Sequence, residues 1–302
     1  MGGVFCGVMG FCDDLLLLAP SRDAMELMLK TCEVFAKNNG LQFSTDPNPS
    51  KSKTKCIFVC GQNKRLKKPV PLQLDGKELP WVPSGNHLGH EIHETGTMDS
   101  DVRMKKAAFI QDSTQIRDMF HFASPVEVLQ AIKTFSAGLY GSMLWSLRGE
   151  AVKQMWNTWN TCVKLTWQVP RETHTYFINH LLDCGISDLR TDVFARTVKF
   201  HRSLRTSPSS EVRVVANMVT RDVRSPTGSN IALIEDQLRL SLLNTTGRAV
   251  REACRTGKKD VPAEDSFRIP LLEKLLMQRG EKFYQLEDTT ELTDQINSLC
   301  IN

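Results

Sequence analysis

The stretch that decides the fold is GGVFCGVMGFCDDLLLLA, residues 2–19. Two apolar runs, residues 4–9 and 15–19, flank a short segment that ends in Asp13 and Asp14. Apolar runs of this length, bounded by turn residues, are typical of buried strands. We therefore predict a β-hairpin with the two carboxylates at its tip. The strand pattern begins within the first residues, so we expect the sequence to be a portion of a longer protein.

Short-range signals predict a helix and further strands after the hairpin. Ser21 is a suitable N-cap for a helix that ends at Asn39-Gly40, because apolar residues recur between them at intervals of three and four. Short strands are predicted for residues 41–44, 56–60, 70–74 and 78–82. The last two flank Asp75-Gly76, a dipeptide that suits a hairpin turn.

From Asp99 onward the apolar period becomes helical. Helices are predicted for residues 100–122, 124–147, 150–167, 174–184, 187–204 and 210–223, with more towards the C-terminus. The clearest start is at Ser124, which is followed by Pro125 and by Glu127 in a capping-box pattern. The predicted fold class is α+β: a small, mostly antiparallel sheet with a helix, then an all-α bundle. We expect three parts, residues 1–95, 96–205 and 206–302.

Composition excludes some classes of protein. The 302 residues are 41% hydrophobic and carry 38 Lys+Arg against 34 Asp+Glu, a net charge of +4. This is the composition of a globular chain. No apolar run approaches the roughly 20 residues of a membrane-spanning helix, so we expect no membrane partner. The nine cysteines show no paired spacing, which indicates reduced thiols in an intracellular protein, whether nuclear or cytoplasmic.

Adjacent carboxylates at a turn between apolar strands favour cation binding. Mg²⁺ binds to one or two carboxylates and keeps coordination positions open for substrate phosphates. Phosphoryl-transfer enzymes use this arrangement. The alternative, in which Asp13 and Asp14 are ordinary turn residues, is equally compatible with this pattern alone.

Phe11-Cys12-Asp13-Asp14, with the leucine run that follows, resembles the aromatic-x-Asp-Asp hairpin of reverse transcriptases. Further segments agree with this family in order and spacing. Lys51 to Cys56 resembles the lysine-bearing loop after the catalytic hairpin, and His87-Leu88-Gly89 resembles the turn of the primer grip. Residues 139–145 and 159–174 resemble the thumb and post-thumb segments of non-LTR, LINE-type retrotransposon polymerases. The ordered set is more specific than the four-residue motif.

The resemblance implies a palm-like sheet with a primer grip, then a thumb-like bundle. It implies that Asp13 is a ligand of both catalytic Mg²⁺ ions and that Asp14 contacts metal less directly. Lys51 or Lys53 would lie near the leaving pyrophosphate, and Phe11 would lie beneath the primer end. The segment His87, Leu88 and Gly89 would hold the primer terminus. The implied partners are an RNA template, a DNA primer and a deoxynucleoside triphosphate.

One part of the family's pattern is missing. A two-metal site needs a third carboxylate, which the family supplies from a palm strand upstream of Asp13, together with the fingers. We therefore expect this polypeptide to be a truncated polymerase that is inactive alone, and the missing N-terminal part to be a possible partner. The alternative from another class is a non-catalytic nucleic-acid-binding protein or an inert relic.

Clusters of basic residues support a nucleic-acid partner. Seven cations without an intervening acid precede Asp75: Lys51, Lys53, Lys55, Lys64, Arg65, Lys67 and Lys68. A second group, Arg103, Lys105 and Lys106, lies near the start of the first long helix of the bundle. Arg196, Lys199, Arg202 and Arg205 form a third group in the helix predicted for residues 187–204. Each group suits a phosphate backbone, although each could equally be a solvated surface.

Overall fold

The computed structural model describes residues 7–46, 48–59, 70–136, 139–171, 186–238 and 245–256. The chain divides into two compact units, residues 1–101 and 102–302. The first contains all the described strands, and the second contains most of the helices. The predicted α+β class is confirmed, whereas the finer division into three parts stays a prediction.

The described part of the first unit contains three antiparallel β-hairpins and helix α1. Each hairpin is a separate two-stranded sheet. The strands are β1 (Val8–Phe11), β2 (Asp14–Leu17), β3 (Gln73–Leu74), β4 (Lys77–Glu78), β5 (Ser84–His87) and β6 (His90–His93), and helix α1 covers Arg22–Asn38. The β3–β4 turn at Asp75-Gly76 has positive φ at both central residues, as predicted.

Helix α1 begins where the sequence predicted. The Ser21 side chain accepts a hydrogen bond from the backbone N–H of Ala24, which satisfies one donor of the first turn. The inner face of α1 contributes Leu29 to a buried cluster. The other buried members of this cluster are Leu72, Leu74 and Leu79. Leu17 of β2 packs against the same cluster, so the first hairpin is anchored to it.

Two predicted strands are wrong. Residues 41–44 form no strand: Phe43 packs against the Leu29 cluster, but Leu41 is exposed and the segment is irregular. The described part of 56–60 forms a single parallel bridge, Cys56 with Trp81. Its hydrogen bonds run from Cys56 N–H to the Pro80 carbonyl (3.0 Å) and from Val82 N–H to the Cys56 carbonyl (2.9 Å). Since Pro80 itself has no N–H to donate, the ladder stops there.

The second unit is helical. Its elements are α2 (Asp99–Met119, which begins in the first unit), α3 (Pro125–Phe135), a 3₁₀ turn (Ser142–Leu144), α4 (Glu150–Thr166), α5 (Leu189–Arg205), α6 (Ser210–Arg221), α7 (Pro226–Leu238) and α8 (Gly247–Thr256). The capping box between Ser124 and Glu127 is present at the start of α3. The helix predicted for 174–184 lies outside the described residues. Among the described helices, none combines the length and apolarity needed to cross a bilayer.

The helix predicted for 124–147 ends early, at Phe135. Gly141 adopts a left-handed conformation (φ 77°) that starts the 3₁₀ turn instead. The segment after it is fixed by the buried Asn230 of α7. This side chain donates to the Trp145 carbonyl (2.6 Å) and accepts from the Leu147 N–H (2.9 Å). The irregular segment thereby inserts Trp145 into the core, where it is fully buried.

Helix α5 is the centre of the described part of the second unit. It packs against α4, α6, α7, α8 and the 3₁₀ turn. Its buried side chains lie on most of its circumference and include Leu189, Val193, Phe194 and Val198. A helix packed on so many sides holds its exposed side chains on a rigid backbone.

Candidate functional site

The first hairpin places Asp13 and Asp14 at its tip, as predicted, but the prediction that its strands are buried is wrong: all of β1 and the first two residues of β2 are exposed. In the β1–β2 register Val8 lies opposite Leu17 and Phe11 lies opposite Asp14. Cys12 and Asp13 are therefore the two residues of the turn. Cys12 has a φ of 54°, whereas Asp13 does not have positive φ. This pattern is that of a type II′ turn, which matches the twist of the flanking strands.

Both carboxylates at this tip are open to solvent. Asp13 and Asp14 are exposed, and neither forms an ion pair within 4.0 Å with any residue in the described ranges. Phe11, which closes the turn, is 63% exposed. No cation of the described residues thus neutralises the negative charge at the tip, and neither carboxylate is buried. A ligand from solution can reach it.

The donor set at the tip fits part of a magnesium site. Carboxylate oxygens are the ligands that Mg²⁺ prefers, and two of them suffice when substrate phosphates complete the coordination. A two-metal centre needs one more carboxylate. Across the described portion of the chain, no three His, Cys, Asp or Glu side chains converge to form a metal-binding group. The tip therefore offers two carboxylates among the described residues, one fewer than a two-metal centre needs.

The loop that carries the predicted lysines has a defined conformation. Lys51, Lys53 and Lys55 are all exposed. Asp46 accepts a hydrogen bond from Asn48 N–H (2.8 Å), and Asn48 in turn accepts one from Ser50 N–H (3.0 Å). Such Asx turns fix the backbone locally. The lysines consequently project from a preorganised loop.

A buried serine pins the centre of this loop. Ser52, between Lys51 and Lys53, is only 3% exposed. Its hydroxyl donates to the Thr54 carbonyl (2.5 Å) and accepts from the Asp46 N–H (3.3 Å). The lysines on either side face solvent because the serine faces inward.

The hairpin tip and the lysine loop are attached to one core but do not touch through their charged groups. Leu17, three residues after Asp14, and Cys56, next to Lys55, both pack on the cluster around Leu29. Burial raises the pKa of the Cys56 thiol to about 11, so this cysteine is not a nucleophile near neutral pH. No ion pair within 4.0 Å joins the two aspartates to the three described lysines of the loop.

The segment His87-Leu88-Gly89 forms a tight turn between β5 and β6. His87 pairs with His90, so Leu88 and Gly89 are the central residues. Their φ angles are 48° and 77°, which is the pattern of a type I′ turn. Positive φ is unfavourable for leucine, at a cost of about 1–2 kcal/mol. The hairpin retains a strained, 36% exposed leucine at the position that resembles the primer grip.

Replacement of Leu88 by Asn is expected to stabilise this hairpin by about 1 kcal/mol, because Asn-Gly is the preferred type I′ dipeptide. Native-state hydrogen exchange of the β5 and β6 amides measures the change, with exchange expected to slow about fivefold. Leu88→Ala is the control, since alanine loses the side chain but keeps the penalty for positive φ. Equal changes in exchange for Leu88→Asn and Leu88→Ala would show that relief of backbone strain at residue 88 does not cause the stabilisation.

Of the three predicted cations in α2, two are engaged within the second unit. Lys105 Nζ lies 5.9 Å from the centre of the Tyr140 ring, and Lys106 Nζ donates to Gln154 Oε1 (3.2 Å). Arg103 is exposed. Thus Arg103 presents its charge to solvent, whereas the two lysines also contribute to packing between segments of the bundle.

Comparison with known proteins adds no further assignment. The chain matches no protein-family model, no curated protein and no solved structure. A functional conclusion must therefore come from the side chains themselves: a solvent-facing aspartate pair at a II′ turn, a preorganised lysine loop and a strained turn at Leu88, all in the first unit.

Proposed function

We propose that this chain is a portion of the RNA-directed DNA polymerase of a non-LTR, LINE-type retrotransposon. It would comprise the C-terminal part of the palm, the primer grip, the thumb and a helical extension. The observation that carries the proposal is the hairpin tip. Asp13 in the two-residue turn and Asp14 at the start of β2 are both exposed, and no described cation is paired to them.

The chain's own residues would bind and orient the substrates. Magnesium, when bound, would stabilise the charge that develops on the transferred and leaving phosphates. Asp13 would be its principal ligand in this chain. Lys51 or Lys53 would stabilise the leaving pyrophosphate, because the loop exposes both ammonium groups. The turn at Leu88-Gly89 would position the primer terminus over Phe11.

The exposed apolar surface of the first unit supports a partner in the palm. The β1–β2 hairpin is a sheet of only two strands, which is marginally stable in water by itself. Several of its apolar side chains are exposed, namely Val8, Met9, Phe11 and Leu15. A further strand that pairs with an edge of this hairpin would extend the sheet and shield the side chains nearest that edge. In the proposed enzyme that strand carries the third carboxylate.

Primer extension tests this proposal. The purified 302-residue chain alone is expected not to extend a DNA primer on an RNA template with Mg²⁺ or Mn²⁺. Addition of a polypeptide that carries the fingers and first palm strand of a LINE-type enzyme is expected to restore metal-dependent extension. Extension by the chain alone would contradict the truncation, and failure of every complemented reaction would contradict the polymerase lineage.

A non-catalytic nucleic-acid-binding protein is the second candidate. The observation that favours it is that no third metal-binding group joins the two aspartates within the part of the chain that the structure describes. This candidate predicts nucleic-acid binding without extension even in the complemented reaction. Replacement of Asp13 would then leave every measured property of the chain unchanged, apart from slightly tighter binding through the loss of a negative charge.

A further inference from the structure

The outer surface of α5 carries four cations at intervals of three residues. They are Arg196, Lys199, Arg202 and Arg205, here called the α5 ridge. Lys199 and Arg202 are exposed, and the other two are partly exposed. None of the four forms an ion pair within 4.0 Å with a residue of the described ranges. The ridge is therefore a row of like charges with no ion-paired counter-charge among the described residues, although Glu235 lies close enough to the buried His201 to affect it.

The acids near this helix do not neutralise the ridge. Asp192 is the one acidic residue in the α5 sequence. It pairs with Lys133 and lies 3.6 Å from Arg251, and the Ser187 hydroxyl donates to it (2.7 Å). The carboxylate of Asp192 is thus engaged by residues outside the ridge. A row of like charges that repel one another is better explained by an external anion than by local pairing.

The surroundings of His201 are consistent with a positive potential beside the ridge. This buried imidazole shares a hydrogen bond with the Thr220 hydroxyl (2.7 Å). Burial lowers the pKa of His201, the nearby Arg205 lowers it further, and Glu235 opposes the shift. The histidine therefore stays neutral near pH 7, where it needs no counter-ion of its own.

The spacing of the ridge matches that of a nucleic-acid strand. Three residues of an α-helix advance about 4.5 Å along its axis. Residues at this interval form a continuous row, inclined by about 45° to the axis. A nucleic-acid strand carries one phosphate per about 3.4 Å of rise. The two charge densities are similar. The row also turns by about 60° around the helix at each step, so two or three neighbouring cations centred on Lys199 and Arg202, and not all four, can meet successive phosphates of one strand.

The ridge is also held rigidly. The other faces of α5 are buried through Val193, Phe194 and Val198, and the helix packs on four other helices. A rigid helix fixes the positions from which the long cationic side chains extend. Less conformational freedom of the backbone is then lost when a ligand binds.

We infer that the α5 ridge is a binding site for the sugar-phosphate backbone of nucleic acid, separate from the Asp13 hairpin. The inference rests on the proposed function in taking nucleic acid as the partner. It deepens that proposal by assigning part of the affinity to a helix for which no catalytic role is proposed. Binding at the ridge is independent of base sequence and of divalent metal.

The salt dependence of binding tests this inference with the full 302-residue chain. A fluorescein-labelled RNA–DNA hybrid and a single-stranded DNA of equal length are the probes, and fluorescence anisotropy measures the binding constants. The double variant Lys199→Gln/Arg202→Gln removes two exposed ridge cations. The matched control Lys30→Gln/Lys153→Gln removes two exposed cations elsewhere. All four side chains face solvent, so circular dichroism melting curves are expected to be unchanged.

The slope of log binding constant against log salt concentration is expected to become shallower by about 1.8 for the ridge variant on the hybrid. The control is expected to change it by less than about 0.5. Equal slopes for the ridge variant and the control would overturn the inference while leaving the proposed function intact. Equal competition by polyglutamate at matched charge would assign the ridge to acidic protein segments and would also overturn it. No binding of either probe by the unmodified chain would overturn both proposals.

Discussion

Replacement of Gly228 by Ala is expected to destabilise the second unit by about 3 kcal/mol. Gly228 lies in the first turn of α7, where that helix approaches the end of α6. A Cβ at this position would lie 2.3 Å from the carbonyl oxygen of Asp222 and 2.9 Å from that of Val219. Both contacts are with backbone, which cannot rotate away as a side chain can. The start of α7 would have to move.

This movement would disrupt more than one contact. The Ser225 hydroxyl accepts a hydrogen bond from Gly228 N–H (2.9 Å) and donates to the Val219 carbonyl (2.5 Å), so it links the two helices. Asn230, two residues further along α7, fixes the backbone around Trp145. Strain at Gly228 would therefore extend to the core of the bundle.

Urea unfolding followed by tryptophan fluorescence measures this loss, because Trp145 and Trp159 are buried in the second unit. Ser229→Ala is the control, since it changes the neighbouring residue of the same helix without placing a Cβ against backbone. A Gly228→Ala variant as stable as the control would show that α6 and α7 do not approach as closely as the structure indicates.

Features fixed by neighbouring residues were predicted correctly from the sequence. The capping box of Ser124 and Glu127 spans four residues, and the turn of the first hairpin involves only two central residues. The turn at Asp75-Gly76 was equally clear. Such features depend on side-chain and backbone chemistry within a few positions, which a sequence shows directly. Strands β5 and β6, by contrast, were not predicted.

Features fixed by distant residues were not predicted. The irregular backbone around Trp145 depends on Asn230, which is 85 positions away in sequence. A helical apolar period continues through this region, so the pattern alone predicts one long helix. Residues 41–44 were likewise predicted as a strand from their composition, although no strand of the described residues pairs with them.

The candidate site likewise contains residues that the sequence indicated and one residue that it did not. Residue types and order indicated Asp13, Asp14 and the lysines, because their chemistry is carried by the side chains themselves. Ser52, which holds the lysine loop, was missed. Short polar side chains recur at every second position from Asp46 to Ser52, a pattern that predicts consecutive Asx and serine turns. This pattern could have identified Ser52.

The Asp13→Asn variant is expected to lose at least about 1,000-fold in primer extension by the complemented polymerase, equivalent to about 4 kcal/mol of transition-state stabilisation. Asparagine retains the size of the side chain and one carbonyl oxygen, but it removes the negative charge that would hold the metal ion against the triphosphate. Because Asp13 is exposed in a turn, the substitution is expected to leave the fold unchanged. Asp14→Asn is expected to have a smaller effect, since Asp14 would contact metal less directly.

Asp23→Asn is the matched control. Asp23 is an exposed aspartate in the first turn of α1, ten positions from Asp13 in the same unit. Its replacement removes the same charge from the unit without altering the hairpin. Extension is therefore expected to stay within about twofold of the unmodified chain, since distant exposed charges are largely screened by salt.

The most direct measurement is the initial rate of magnesium-dependent primer extension by complemented Asp13→Asn and Asp23→Asn chains, alongside the affinity of each for the RNA–DNA hybrid. The account predicts that only Asp13→Asn abolishes extension and that both variants bind the hybrid as tightly as the unmodified chain, or slightly more tightly. Extension by Asp13→Asn at the rate of the control would contradict the claim that this carboxylate binds the catalytic metal.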